Sequence, residues 1–117
     1  MPAGKYDLYI EQGTTWSLPL LWKAMDDTPQ DLTGFTARMH IRKKITDAAY
    51  EVELTTENGG IILGGVDGTI NLFMSATSTT AIDIKDGVYD LELVSGGGIV
   101  KRLLEGKATI SPEVTRE

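Results

Sequence analysis

Hydrophobic and polar positions alternate along most of the chain with a period of two, the period of a strand with one face buried. Tyr6, Leu8 and Ile10 share one face of the first segment, with Asp7, Tyr9 and Glu11 on the other. After a break at Gln12-Gly13, Trp16, Leu18, Leu20 and Trp22 fall opposite Thr15, Ser17, Pro19, Leu21 and Lys23, so both tryptophans are expected in the core. Pro19 has no N–H for a ladder, which places this strand at a sheet edge or at a bulge. Phe35, Ala37, Met39 and Ile41 then alternate inward against Thr36, Arg38, His40 and Arg42 outward. Tyr50, Val52 and Leu54 are expected inward, as are Ile70, Leu72 and Met74, whose strand forms a hairpin with Ile61-Ile62-Leu63.

The stretch from Asp86 to Glu105 organises the rest. Val88 to Val94 is a β-type run, and Ser95-Gly96-Gly97-Gly98 lets the chain reverse into Ile99 to Glu105, which predicts a hairpin. In the returning arm Arg102 is expected on the face of Leu104, Gly106, Ala108 and Ile110, with a bulge near Gly106. Met1 to Lys5 reads as a short tail, Ala24 to Gly34 as a surface loop, and Lys43 to Ala48 as a polar connection. Ser75, followed by Thr77 to Thr80, is suited to cap one helical turn.

About seven to nine short strands with frequent turn signals predict a two-sheet sandwich or a small barrel. Gly87-Val88-Tyr89-Asp90-Leu91, after a short near-helical segment, looks like the tyrosine corner of immunoglobulin-like domains, with Leu91 where the disulfide-bonded Cys would stand. The expected fold is therefore an all-β, immunoglobulin-like antiparallel β-sandwich, forming a single domain over residues 1–117. Sandwich edges invite pairing, so the first or last strand is expected to be free to extend a neighbour's sheet.

Composition narrows the chemistry. With 117 residues the chain is long enough for one core and too short for two. Hydrophobic residues make up 41% and charged ones 24%, which is neither a disordered nor a membrane-like balance. No apolar run approaches the roughly 20 residues of a spanning helix, so no membrane partner is expected, and Met1 to Lys5 leads into a strand instead of a signal-like stretch. The expectation is a whole chain made in a host cytoplasm. There is no cysteine, which removes disulfides, thiolate metal sites and cysteine nucleophiles together. A formal charge of -6 argues against nucleic acid, whose affinity for proteins rests on phosphate neutralisation.

No cofactor, metal or catalytic group is expected. His40 stands alone between Arg38 and Arg42 on an outward strand face. Asp26, Asp27 and Asp31 share a loop and could ligate a hard cation, but they lack an EF-hand spacing and are ordinary turn residues. Glu51, Glu53, Asp90 and Glu92 read as a charged outer face, where repulsion is screened and pKa values stay ordinary. The pairs Gly59-Gly60 and Gly64-Gly65, like Gly96 to Gly98, are turns, since no helix or Gly-Lys-Ser/Thr follows any of them. Arg38, His40, Arg42, Lys43 and Lys44 form the one basic group and are the candidate contact residues for an acidic neighbouring subunit.

Taken together, YIEQGTTWSLPLLW, the Asp31-Leu32-Thr33-Gly34 turn and FTARMHIR resemble the amino-terminal β-sandwich of tailed-phage baseplate upper proteins and related short phage and prophage structural proteins. GVYDLELV and the closing LLEGKATISPEVTR are similar to the short versions. The resemblance implies a non-enzymatic virion component that docks on other subunits of the tail, baseplate or fibre base, in a symmetric multi-copy assembly. The sequence departs from that pattern in having no long coiled-coil or fibre extension after the sandwich, so a receptor-binding stalk is not the expected role. A capsid decoration protein is the alternative within that class. A carbohydrate-binding module, stacking sugars on Trp16, Trp22 or Tyr9, is the alternative outside it.

Overall fold

The computed structural model describes residues 3–115, and nine strands, one short α-helix and a single 3-10 turn at Gly65–Asp67 make up its regular structure. The strands are β1 (Gly4–Lys5), β2 (Leu8–Glu11), β3 (Trp16–Leu21), β4 (Thr36–Arg42), β5 (Val52–Thr55), β6 (Ile61–Leu63), β7 (Thr69–Met74), β8 (Asp86–Val94) and β9 (Val100–Ser111). Helix α1 (Ala76–Thr80) is the single turn expected after Ser75, whose hydroxyl accepts the Ser78 N–H as an N-cap. One sheet has six strands in the order β1/β2-β9-β8-β4-β5, and the other has three in the order β3-β7-β6. All pairings are antiparallel except one seam, in which β1 and β2 both run parallel to β9. Part of the expected amino-terminal tail is therefore a strand; Met1 and Pro2, like Arg116 of the closing motif, lie outside the described residues.

Alternation decided which side chains meet. Ala37, Met39 and Ile41 of β4 and Leu91 and Leu93 of β8 face Ile61, Ile70, Leu72 and Met74 of the small sheet, all buried in one core with Leu8, Ile10 and Ile110. The β3 residues Trp16, Leu18 and Leu20, and Trp22 beyond it, are only half-buried and pack at the rim of that core. The reason is topological: β3 is an edge strand, as Pro19 requires, so one flank of its inward row has no neighbour. Tyr6 and Tyr50, expected inward, are exposed because each lies just outside a strand, where alternation no longer holds.

The β8–β9 hairpin forms with its turn at Ser95–Ile99, but its irregularity is not at Gly106. Leu91 pairs with Leu104 and Glu92 with Arg102, so Leu103 is the extra residue. That bulge puts Arg102 on the outer face, opposite to the expected one, and turns Lys101 toward the sandwich end, where its ammonium lies 5.5 Å from the Trp22 ring centroid.

Tyr89 does not make a tyrosine corner. Its hydroxyl donates to the carbonyl of Tyr6 at 2.6 Å, across the sheet to the crossing between β1 and β2, and not to the backbone just upstream. Gly106 explains the reach. It pairs with Tyr89, and a Cβ there would stand 2.3 Å from the Tyr6 carbonyl oxygen, so only a glycine lets that carbonyl come close enough to β9 to meet the Tyr89 hydroxyl. The Asp7 carboxylate accepts the Lys107 N–H at 3.0 Å, completing a latch that holds the first strand to the ninth.

Candidate partner-binding surface

The outer face of the six-stranded sheet is where the predicted contact residues lie. Register sets two of the basic residues of β4 beside acids of neighbouring strands: Arg38 is opposite Glu92 on β8, and His40 is opposite Glu53 on β5 and Asp90 on β8, whereas Arg42 is opposite Val88. The Arg38 Nε donates to Glu92 Oε1 at 2.8 Å, and His40 Nε2 lies 3.1 Å from Glu53 Oε2. Arg42 turns back and donates to the carbonyls of Asp47 and Ala48 and to His40 Nδ1. A guanidinium has no acceptor, so His40 Nδ1 receives that bond and Nε2 carries the hydrogen given to Glu53. Tyr50 stacks obliquely on the imidazole, with ring centroids 4.7 Å apart.

Further across the face, Arg102 reaches both Asp90 at 3.5 Å and Glu105 at 3.4 Å, and Lys5 pairs with Glu105. These groups surround a shallow concavity of about 510 Å³, with Asp90 among its lining residues and Ile45 as an apolar member. Burial, reinforced by the Glu92 charge, pushes the Asp90 carboxyl upward against the pull of Arg102. The outer carboxylates are thus not uniformly ordinary as the alternation implied. Hydrogen bonding from Lys5 holds Glu105 below the usual range.

Of the five predicted contact residues, Arg38, His40 and Arg42 are brought together on β4 and bound within the chain. Lys43 and Lys44 are exposed past the end of that strand. The basic group is therefore half of a charge lattice whose acidic half came from β5, β8 and β9. The sequence signal for that lattice was the paired acids Glu51/Glu53 and Asp90/Glu92, but only the cross-strand register shows which cation each one meets.

Strand edges are blunted one by one. On the free side of β5, the Asn58 side chain accepts the Thr55 N–H and donates to the Glu53 carbonyl, occupying the positions a further strand would take. On β2, the Trp16 indole donates to the Tyr9 carbonyl, and Thr14 donates to the Glu11 carbonyl. The Trp22 N–H bonds to Gly68 across β7, so alternation directs Pro19 toward the open side of β3, where it presents no N–H. The last strand, expected as an edge, is interior over Leu104 to Ser111, covered by the first two strands. Strand addition is disfavoured at each of these positions, while β6 is the outer strand of the smaller sheet.

The acidic loop is turn architecture. Asp26 accepts the N–H and hydroxyl of Thr28, Asp31 does the same for Thr33, and Asp27 pairs with Lys23. Hydrogen bonds from Thr28 and Thr33 lower the pKa of Asp26 and Asp31 respectively. Among the described residues, no three His, Cys, Asp or Glu side chains are grouped to hold a metal ion. Trp22 meets Phe35 edge to face with centroids 6.3 Å apart, while Tyr9 is exposed, as its register implied.

No family model and no curated protein sequence matches the chain. Solved structures match its fold. The extracellular domain of a voltage-gated sodium channel beta4 subunit aligns with TM-score 0.52 and 8% identity, covering 97% of this chain and 97% of its own. A chicken TCR aligns with TM-score 0.53 and 10% identity, covering 97% of this chain and 57% of its own. At such identities the likeness carries the fold alone, and the fold is an immunoglobulin-like β-sandwich.

Proposed function

We propose that this chain is a non-enzymatic structural subunit of a tailed-phage particle, docking on other proteins of the tail, baseplate or fibre base. The observation that carries the docking role is the self-contained outer face. Arg38, His40 and Arg102 are each satisfied by an acid of the same sheet, and Asn58 and Trp16 close the free sides of β5 and β2, giving a stiff body that resists strand addition at those two edges. Such a body recognises by shape and by what stands at its ends. The phage setting rests on the resemblance of its YIEQGTTW, DLTG and FTARMHIR segments to the baseplate-type sandwich.

Mass spectrometry and cryo-electron microscopy of purified particles test the reading. The expected result is this chain at symmetric positions on the tail or baseplate; particles that lack it would defeat the proposal. Density on the capsid shell instead would assign it to decoration. What counts against the sugar-binding alternative is that Trp16 and Trp22 are half-buried against the core, with Phe35 edge to face with Trp22 and Lys101 over its ring. Of those three rings Tyr9 alone is exposed, and a single ring is a poor pyranose site.

A further inference from the structure

Three loops meet at one end of the sandwich. The β3–β4 loop leaves β3 after Leu21, which is paired with Thr69 at the start of β7, and enters β4 at Thr36, which is paired with Val94 at the end of β8. The β6–β7 and β8–β9 turns therefore lie at that same end. The loops are also bonded to one another: Trp22 N–H to the Gly68 carbonyl, Leu32 N–H to the Gly65 carbonyl, and Lys101 over the Trp22 ring.

Each loop raises one aliphatic side chain into solvent. Met25 is fully exposed, Val66 is 66% exposed and Ile99 is 74% exposed. None of the three sits on a loose segment. Met25 occupies a corner of the turn closed by Asp27 N–H to Ala24 O and Ala24 N–H to Thr28 O, and it is braced by the Asp26–Thr28 bonds. Ile99 ends a turn in which Ser95 N–H bonds to Ile99 O and Ile99 N–H bonds to Ser95 Oγ. Ordered turns that hold apolar side chains in water have already met the conformational cost of presenting them.

The surroundings of these tips are acidic. Asp26, Asp27, Asp31 and Asp67 are exposed on the same loops, against Lys23, which is paired with Asp27, and Lys101, which lies on Trp22. A second copy brought tip to tip would set these aspartates against their own kind, on a chain already at -6. We infer that this loop end is the docking surface, and that its partner is a different protein offering apolar sockets for Met25 and Ile99 bordered by Lys or Arg. The predicted basic residues Lys43 and Lys44 lie beyond the opposite end of β4 and take no part in it. The inference rests on the docking reading above, but not on the particle being a phage.

Photo-crosslinking decides it. p-Benzoylphenylalanine is placed singly at Met25, at Ile99, and at Ile62 on the outer face of β6 as a control, and purified particles are irradiated. Expected are adducts from positions 25 and 99 to one other protein, within a segment whose apolar residues are flanked by Lys or Arg. Adducts only from position 62, adducts to another copy of this chain, or none from either tip would overturn the inference. Particles lacking the chain would sink the virion reading alone; the same variants irradiated in lysate of the producing cells are then judged by the same criteria. Met25→Asp and Ile99→Asp should each weaken association at least about tenfold while leaving the melting temperature unchanged, since neither side chain is buried.

Discussion

The Tyr89→Phe substitution isolates the latch between the first strand and the ninth. The ring is 5% exposed and phenylalanine fills the same space, so the change removes only the hydroxyl that donates to the Tyr6 carbonyl at 2.6 Å. A lost hydrogen bond of this kind costs about 1 kcal/mol, and a carbonyl left without its donor costs up to about 3. The bond is part-buried at the crossing between β1 and β2, and the expected destabilisation is about 1–2 kcal/mol. An unfolding entropy of roughly 2.1 cal/mol/K per residue gives about 0.25 kcal/mol/K for 117 residues, so the melting temperature should fall by about 4–8 °C.

Alkaline pH supplies a second reading of the same group. Burial, with the Asp7 charge, raises the Tyr89 phenol from 10.0 to about 12. The folded state holds this proton more tightly than the unfolded chain, so its contribution is complete below about pH 10 and is lost as pH rises through about 12. The stability gap between wild type and Tyr89→Phe, measured by urea unfolding across that interval, should therefore narrow. A variant melting within 1 °C of wild type by calorimetry, on the order of the measurement error against the expected shift, would refute the latch. So would a gap that widens with pH.

Gly106→Ala should be more damaging than Tyr89→Phe, by about 2–4 kcal/mol, because its Cβ meets the Tyr6 backbone oxygen and no side chain can move aside; chemical denaturation measures it, and a cost below that of Tyr89→Phe would argue against the close crossing. Asn58→Ala should open the edge of β5, lowering the melting temperature and giving concentration-dependent light scattering that wild type lacks; a variant that scatters no more than wild type would remove the edge-cap role. Asp90→Asn should stabilise the protein at pH 7, since a carboxyl with a raised pKa opposes folding once ionised. That advantage should fade as pH falls through the carboxylate range, where both states are protonated; an advantage that grows in acid would contradict the assignment.

Much of the sandwich was legible in local pattern. Ala37, Met39 and Ile41, or Ile70, Leu72 and Met74, announce a buried face because a strand repeats every two residues, and Ser75 and Pro19 each carry a backbone reason for their places. What stayed hidden was set by residues distant in sequence. Leu8 pairs with Ala108 and Tyr9 with Thr109, and no alternation within either segment indicates a parallel partner on the far side of the chain. Tyr89 resembles a local corner in sequence for the same reason, since its acceptor is 83 residues away. Gly106 looked like the bulge because glycine tolerates one, whereas its need is for space; Leu103, an unremarkable hydrophobe, became the extra residue. On the outer face Arg38 and His40 are visible on β4, but their partners Glu92 and Glu53 are fixed only by register.

The parallel seam bears on how the domain carries load. The chain passes into β1 at Gly4, beside Leu104, and leaves β9 at Ser111, beside Glu11, so tension applied to the two ends pulls adjacent strands past each other. Rungs loaded in that direction share the strain and must rupture together, whereas an antiparallel hairpin pulled from its open end unzips one rung at a time. A module anchored in series within a machine that is stretched or jolted would thus be held by its first and last strands, and force spectroscopy should show that junction yielding first and abruptly.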